Sequence, residues 1–366
     1  MKIRTYILFL AASLLVLSAC SFRNVHSTES QQKRARNIII FIGDGMGVAH
    51  VNAAITVSER PLVMERFPYS GFLKTYSYDN YVTDSGAGGT AIASGIKTRN
   101  GMIGMAPDST IVESILHIAS RRGLATGVVS TSAVTHATPA TFAVHNIDRA
   151  NTEEIAKGFL DSNVDVFIGG GENHFRRRSD SVDLTVNLRK KGYDVVYTIQ
   201  DLVKSDSRKI AGLLAKEHMP EESAGRRGML EIMTKKAIET LNRNQKGFVL
   251  MVEGSMIDWG GHANDIRYVV AEMLDFDRAV GVAKDFAETD GETLIIVTSD
   301  HETGGLTLID GSEERNWVSV NFSTTDHTAV MVPIFSYGPG AERFSGIREN
   351  TFFLAEFLDL LGIRRK

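Results

Sequence analysis

Residues 37–47 read Asn-Ile-Ile-Ile-Phe-Ile-Gly-Asp-Gly-Met-Gly, and this stretch decides the fold. An apolar, mostly β-branched run is what a strand buried on both faces requires, and here it runs straight into a glycine-rich turn carrying a carboxylate, Asp44. Similar runs recur down the chain. Strands are expected at 37–42, 126–130, 164–168, 248–252, 294–298 and 333–337. Amphipathic helices are expected between them, most clearly at 111–122, 229–244, 266–288 and 351–361, with apolar residues recurring at three and four positions. Short strands alternating with helices predict an α/β fold: a three-layer α/β/α sandwich around a largely parallel central sheet. One catalytic domain over 37–366 is expected, with the more charged segment 171–228 as a peripheral excursion.

Polar clusters fall where these strands end. Asp44 follows the first run, His136 and Thr138 follow the second, Glu253 ends the fourth, and Asp300-His301 close the fifth. In an open parallel sheet the carboxyl ends of the strands form the ligand crevice. Buried Asp, Glu and His in one crevice are costly unless something positive neutralises them, and a divalent metal does so. Asp258 and His262 stand four residues apart, so one helical turn puts both on the same face, able to grip one ion. His327 adds a late imidazole. Taken singly, Asp44 reads as a turn aspartate, Asp300 as a helix cap, and His262 or His327 as surface histidines. Their coincidence at one sheet edge favours the metal.

Residues 83–89, Thr-Asp-Ser-Gly-Ala-Gly-Gly, make a poor helix, since Gly86, Gly88 and Gly89 each cost up to about 1 kcal/mol against alanine. Small residues permit close packing, and they also leave first-turn amides open to an anion. Beside a metal, Ser85 at that N-terminus becomes a nucleophile. Arg149 could clamp two phosphate oxygens; alone, it would be a surface ion pair.

The N-terminus has two positive charges, an apolar run from Tyr6 to Ala19, and then Cys20, the one cysteine of the chain. This reads as a signal peptide over 1–19 whose Leu17-Ser18-Ala19-Cys20 resembles the bacterial lipobox. Cys20 would then carry a lipid, 20–36 would be a polar tether, and the protein would be an exported, periplasmic or outer-membrane-anchored bacterial lipoprotein. No intramolecular disulfide can form. With 40 basic and 44 acidic residues, the formal charge of -4 does not favour a nucleic-acid partner.

The blocks IGDGMG (42–47), VTDSGAGGTA (82–91), THATPA (135–140), VEGSMIDWGGHA (252–263), VTSDHETGG (297–305) and DHTAV (326–330) resemble the alkaline phosphatase family, in order and across most of the chain. The resemblance implies a phosphate monoester hydrolase with two Zn2+ and one Mg2+. One zinc would lie on Asp258, His262 and His327. The second would lie on Asp44, Asp300 and His301 with Ser85 as nucleophile, and magnesium on Asp44, Thr138 and Glu253. Arg149 would bind phosphate, and a homodimer is the usual assembly. His136 stands where some members carry aspartate and Trp259 where some carry lysine or histidine. Neither is a zinc ligand in the family; both are expected beside the third metal. Two other readings stay open. One is a phosphodiesterase or nucleotide pyrophosphatase of the same superfamily, which commonly uses threonine and lacks the third metal. The other is an exported metal- or phosphate-binding lipoprotein without turnover.

Overall fold

A computed structural model describes residues 34–364. The expected leader, the lipidated Cys20 and tether residues up to 33 lie outside them. Ala35, inside the stretch read as tether, is buried, and its N–H donates to the Leu360 carbonyl at 3.0 Å. Packed structure thus begins ahead of Asn37.

The strands, in chain order, are β1 (Asn37–Gly43), β2 (Tyr69–Lys74), β3 (Ala125–Ala133), β4 (Val166–Gly170), β5 (Asp194–Val196), β6 (Ile210–Leu213), β7 (Phe248–Gly254), β8 (Thr293–Thr298), β9 (Glu302–Thr303), β10 (Leu306–Ser312), β11 (Trp317–Phe322), β12 (His327–Thr328), β13 (Val332–Tyr337) and β14 (Gly346–Glu349). Ten of them form one sheet in the order β14-β2-β13-β8-β1-β7-β3-β4-β6-β5. Every pairing in it is parallel except the two that β13 makes with β8 and β2. The expected strand at 333–337 is therefore present but runs against its neighbours. Nothing in its composition distinguishes the two directions.

Alternation along β1 builds the three layers. Ile38, Ile40 and Ile42 enter one core, with the helices Ile115–Arg121, Ala137–Ala143 and Phe353–Leu360. Ile39 and Phe41 enter the other, with Met229–Leu241 and Ile266–Asp290. Phe41 meets Phe276 edge-on at 5.8 Å. Full burial of such side chains contributes about 1.5–3 kcal/mol each, which is why the central strands need no polar face.

Two expected boundaries shift for local reasons. The helix expected from 111 starts at Ile115, because the Ser114 hydroxyl caps it by accepting the His117 N–H at 3.3 Å, and Ile111 is left exposed. Within 171–228, β5 and β6 continue the edge of the central sheet beyond β4. Both are short, with little length over which a period can show. The turn at Glu222–Arg226 is pinned to the long helix by Arg226, whose buried guanidinium donates to Asp275 at 2.9 Å and to Glu272.

Removing that guanidinium strands two carboxylates in the interior. Arg226→Ala should lower stability by about 3–5 kcal/mol in urea unfolding. A loss below about 1 kcal/mol would show that the pair is not structurally required.

Candidate metal centre and nucleophile

Register delivers the carboxylates to one layer. Ile42 lies opposite Glu253 on one side and Thr298 on the other, so Asp44, Glu253 and Asp300 emerge together at the carboxyl ends of β1, β7 and β8. All three are fully buried. Gly45 turns the chain away with φ of +75°, and a Cβ there would stand 2.7 Å from both the Asp258 Cα and the Thr303 Oγ1. Only glycine allows the β1 turn, the Met256–His262 helix and β9 to meet so closely.

On that helix, Asp258 and His262 share a face as their spacing requires. His262 Nε2 lies 3.3 Å from Asp258 Oδ1, and His327 Nε2 lies 3.5 Å from the same oxygen. Backbone carbonyls aim both rings: His262 Nδ1 faces Thr325 O at 2.6 Å and His327 Nδ1 faces Thr83 O at 2.9 Å. A proton held at Nδ1 leaves Nε2 free as a metal ligand. Donor atoms of Asp258, His262 and His327 all fall within 4.8 Å of one another.

A second such group is Asp44, Asp258 and His301. His301 Nε2 lies 3.3 Å from Asp44 Oδ1 and 3.6 Å from Asp300 Oδ2. Asp300, expected in this group, turns its Oδ1 to the N–H of His301 at 3.1 Å and of Gly45 at 3.4 Å. Asp258 thus joins two groups. A third is Asp44, His136 and Glu253. Here Asp44 Oδ1, His136 Nδ1 and Glu253 Oε1 are buried with no hydrogen-bond partner among the described residues. Leaving such atoms unmatched is costly, and a cation would satisfy all three. Thr138 Oγ1 stands 3.3 Å from Asp44 Oδ2. His136, expected only beside this site, is in donor range of it. Trp259 meets the His136 ring edge-on at 6.2 Å.

Ser85 opens the Ser85–Ser94 helix, and its Oγ lies 3.2 Å from His301 Nε2. Asp84 caps that helix by accepting the Ala87 N–H at 2.9 Å; its other oxygen takes Arg149 Nη1 at 2.8 Å. One carboxylate therefore fixes both the helix that Ser85 opens and the guanidinium. A Cβ on Gly88 would stand 2.9 Å from the Asp300 carbonyl, so the tiny residues here do serve close packing.

Sequence reasoning missed Asp84 and Thr303, although both stand inside quoted blocks. Thr303 donates to Asp258 and lies 3.3 Å from His301 Nδ1, tying two groups together. Their signal was adjacency to the expected ligands.

The titrations of the clustered groups are strongly displaced. Burial, then Asp300, Asp258 and Glu253, pushes the Asp44 carboxyl well above its ordinary range. Burial raises Glu253 to about 7 against the Ser130 and Ser255 hydroxyls, and burial with Asp258 raises Asp300 to about 6. Asp258 moves the other way: against desolvation, the His262 hydrogen bond and the neighbouring imidazoles hold it well below the usual carboxylate range. Its hydrogen bond in turn raises His262 to about 9. Burial drives His136 down to about 3.

An α/β/α sheet with carboxylate–imidazole groups at its carboxyl edge and a serine at a helix N-terminus among them defines a metal-dependent phosphatase. Residues 35–319 match the alkaline phosphatase family, and the chain belongs to it; it is a phosphomonoester hydrolase. It is 32% identical to alkaline phosphatase 4 of Bacillus subtilis (strain 168), over 93% of each chain. The alkaline phosphatase of the Antarctic bacterium TAB5 has the same fold, with a TM-score of 0.87 and 41% identity over 91% of this chain and 100% of that one. A variant of that enzyme with a histidine replaced by aspartate has Mg bound in a site termed M3.

Glu253 and Asp300 must lose their protons before they can ligate. Because both are raised, metal affinity of the emptied chain should climb as pH rises through about 6 to 7. Titration calorimetry should find more protons released per ion at pH 6 than at pH 8. Equal release at both would contradict the raised values.

Proposed function

We propose that this chain hydrolyses phosphate monoesters through a phosphoserine at Ser85, in a centre of two zinc ions and one magnesium. The observation that carries the reading is the Ser85 hydroxyl, 3.2 Å from His301 Nε2 at the edge of the carboxylate–imidazole groups. Asp258, His262 and His327 would hold one zinc. Asp44 and His301 would hold the second, with Asp300 and Asp258 as the nearby carboxylates. Asp44, Glu253 and Thr138 would hold the third ion, with His136 as an added nitrogen ligand. Bound there, such ions neutralise the clustered carboxylates, polarise phosphoryl oxygens and lower the pKa of a hydroxyl or water against them.

The chain's own groups divide the remaining work. Ser85 Oγ attacks phosphorus, the leaving oxygen departs on the opposite side with the bonding pair, and phosphoserine results. Water entering from the vacated side then releases inorganic phosphate and restores Ser85. Arg149 positions the non-bridging oxygens. Its guanidinium is kept charged by Asp84 against the cost of burial, and Asp84 fixes its Nη1. Positioning and charge are what phosphoryl transfer chiefly asks of a protein. His262 and Arg149 are partly exposed, which supports a site open on the leaving-group side and suited to many monoesters. Export with a lipid on Cys20, periplasmic or outer-membrane placement and a homodimer belong to the same reading; they are supported by the leader residues and by the family.

Ser85→Ala should lower turnover of a chromogenic monoester by at least about a thousandfold and abolish the phosphoenzyme, with metal content nearly intact. Phosphoenzyme in that variant would refute the nucleophile. His136→Asp should strengthen the third site's preference for magnesium over competing zinc, since a carboxylate replaces a nitrogen that suits zinc. Metal analysis after loading with both ions reads this, and an unchanged zinc-to-magnesium ratio would remove His136 from the site.

A further inference from the structure

We propose that the pole opposite the catalytic centre docks on an anionic lipid surface. Parallel strands give the molecule two unlike ends, with the catalytic groups following β1, β7 and β8 at one of them. The segments that enter strands at the other end carry Arg34 and Arg36 ahead of β1, Arg121 and Arg122 ahead of β3, and Lys246 ahead of β7. Arg364, beyond the Phe353–Leu360 helix, joins them.

These groups form one patch. Arg122 Nη2 donates to the Arg364 carbonyl at 3.2 Å, and Lys246 Nζ donates to the Arg122 carbonyl at 3.4 Å. A Cβ on Gly362 would stand 3.2 Å from Arg34 Nη1. Acidic neighbours neutralise only part of it: Arg36 pairs with Asp290 and Glu292, Arg121 with Glu113, and Asp359 pairs with Arg343. Arg34, Arg122, Lys246 and Arg364 form no ion pair among the described residues. In a chain of net charge -4, this local excess is not a reflection of composition.

A groove of about 660 Å³ opens beside the patch, lined by Leu354, Leu358 and Ile363 and flanked by Arg121, Arg122 and Arg364. The groove also carries Ser94 and Glu113, and cations bordering its apolar wall match a phospholipid, which offers a negative headgroup above hydrocarbon. The described chain also enters this pole, at Arg34. From Cys20, fourteen residues can reach at most about 50 Å, so a lipid on Cys20 would keep the patch within range of a bilayer. The inference draws on the leader reading for that proximity and is independent of the phosphatase reading. Docked this way, Ser85 and the strand ends that carry Asp44, Glu253 and Asp300 face away from the membrane, towards soluble monoesters.

Co-sedimentation of the full chain with vesicles tests it, comparing phosphatidylcholine alone with phosphatidylcholine containing about 30% phosphatidylglycerol. A lipid anchors equally to both, and the basic residues of the leader and tether are common to wild type and variants, so the change in the ratio between them reads the patch. At low salt the ratio should be on the order of a hundred, since each basic group near such a surface strengthens attachment about fivefold. It should collapse near 0.5 M salt, where the screening length falls to roughly 4 Å. Arg122→Glu with Lys246→Glu and Arg364→Glu should bring it near one while turnover of a soluble monoester stays within about twofold. Arg364→Gln alone should lower it about fivefold, and Arg267→Glu, at the opposite end, should leave it unchanged. A wild-type ratio near one, or a triple variant that keeps the wild-type ratio, would overturn the proposal.

Discussion

Four carboxylates, Asp44, Glu253, Asp258 and Asp300, are buried together at one end of a parallel sheet, and that repulsion is the constraint the rest of the molecule answers. Desolvated negative charges this close cannot all persist unless protons or cations join them. Burial and the neighbouring carboxylates push Asp44, Glu253 and Asp300 above the ordinary carboxylate range, the direction that favours bound protons. With cations in place the same atoms become ligands, and the electrostatic cost becomes binding energy.

Precision comes from the scaffold around them. Strand register sets three of the carboxylates in one layer, and Gly45 lets Asp258 approach them from a helix. The carbonyls of Thr83 and Thr325 aim two imidazoles inward, and Thr303 ties Asp258 to His301. Asp84 does the same for the reactive end, joining the Ser85 helix to Arg149. A site held by such supporting hydrogen bonds stays organised between turnovers, which electrostatic catalysis depends on.

Much of this was legible in the chain itself because burial on two faces leaves a plain mark. Continuous apolar runs located β1, β3, β7 and β8, and the turns after them located the carboxylates and imidazoles that gather at the sheet's edge. Less visible was anything decided by long-range contact. The antiparallel sense of β13, the short edge strands β5 and β6, and the exposed hairpin of β10 and β11 have no period strong enough to announce them. Within the site, spacing could pair Asp258 with His262, yet only folding reveals that Asp258 also approaches Asp44 and His301, or that His136 comes within donor range of Asp44 and Glu253. The hairpin of β10 and β11 occupies the stretch between His301 and Asp326.

Metal content per chain, measured as each ion is restored to chelated protein and turnover is followed in parallel, tests the central claim most directly. The account predicts divalent ions filling all three ligand groups, with turnover absent from the stripped chain and returning as they fill. A stripped chain that hydrolyses monoesters at the full rate would contradict it.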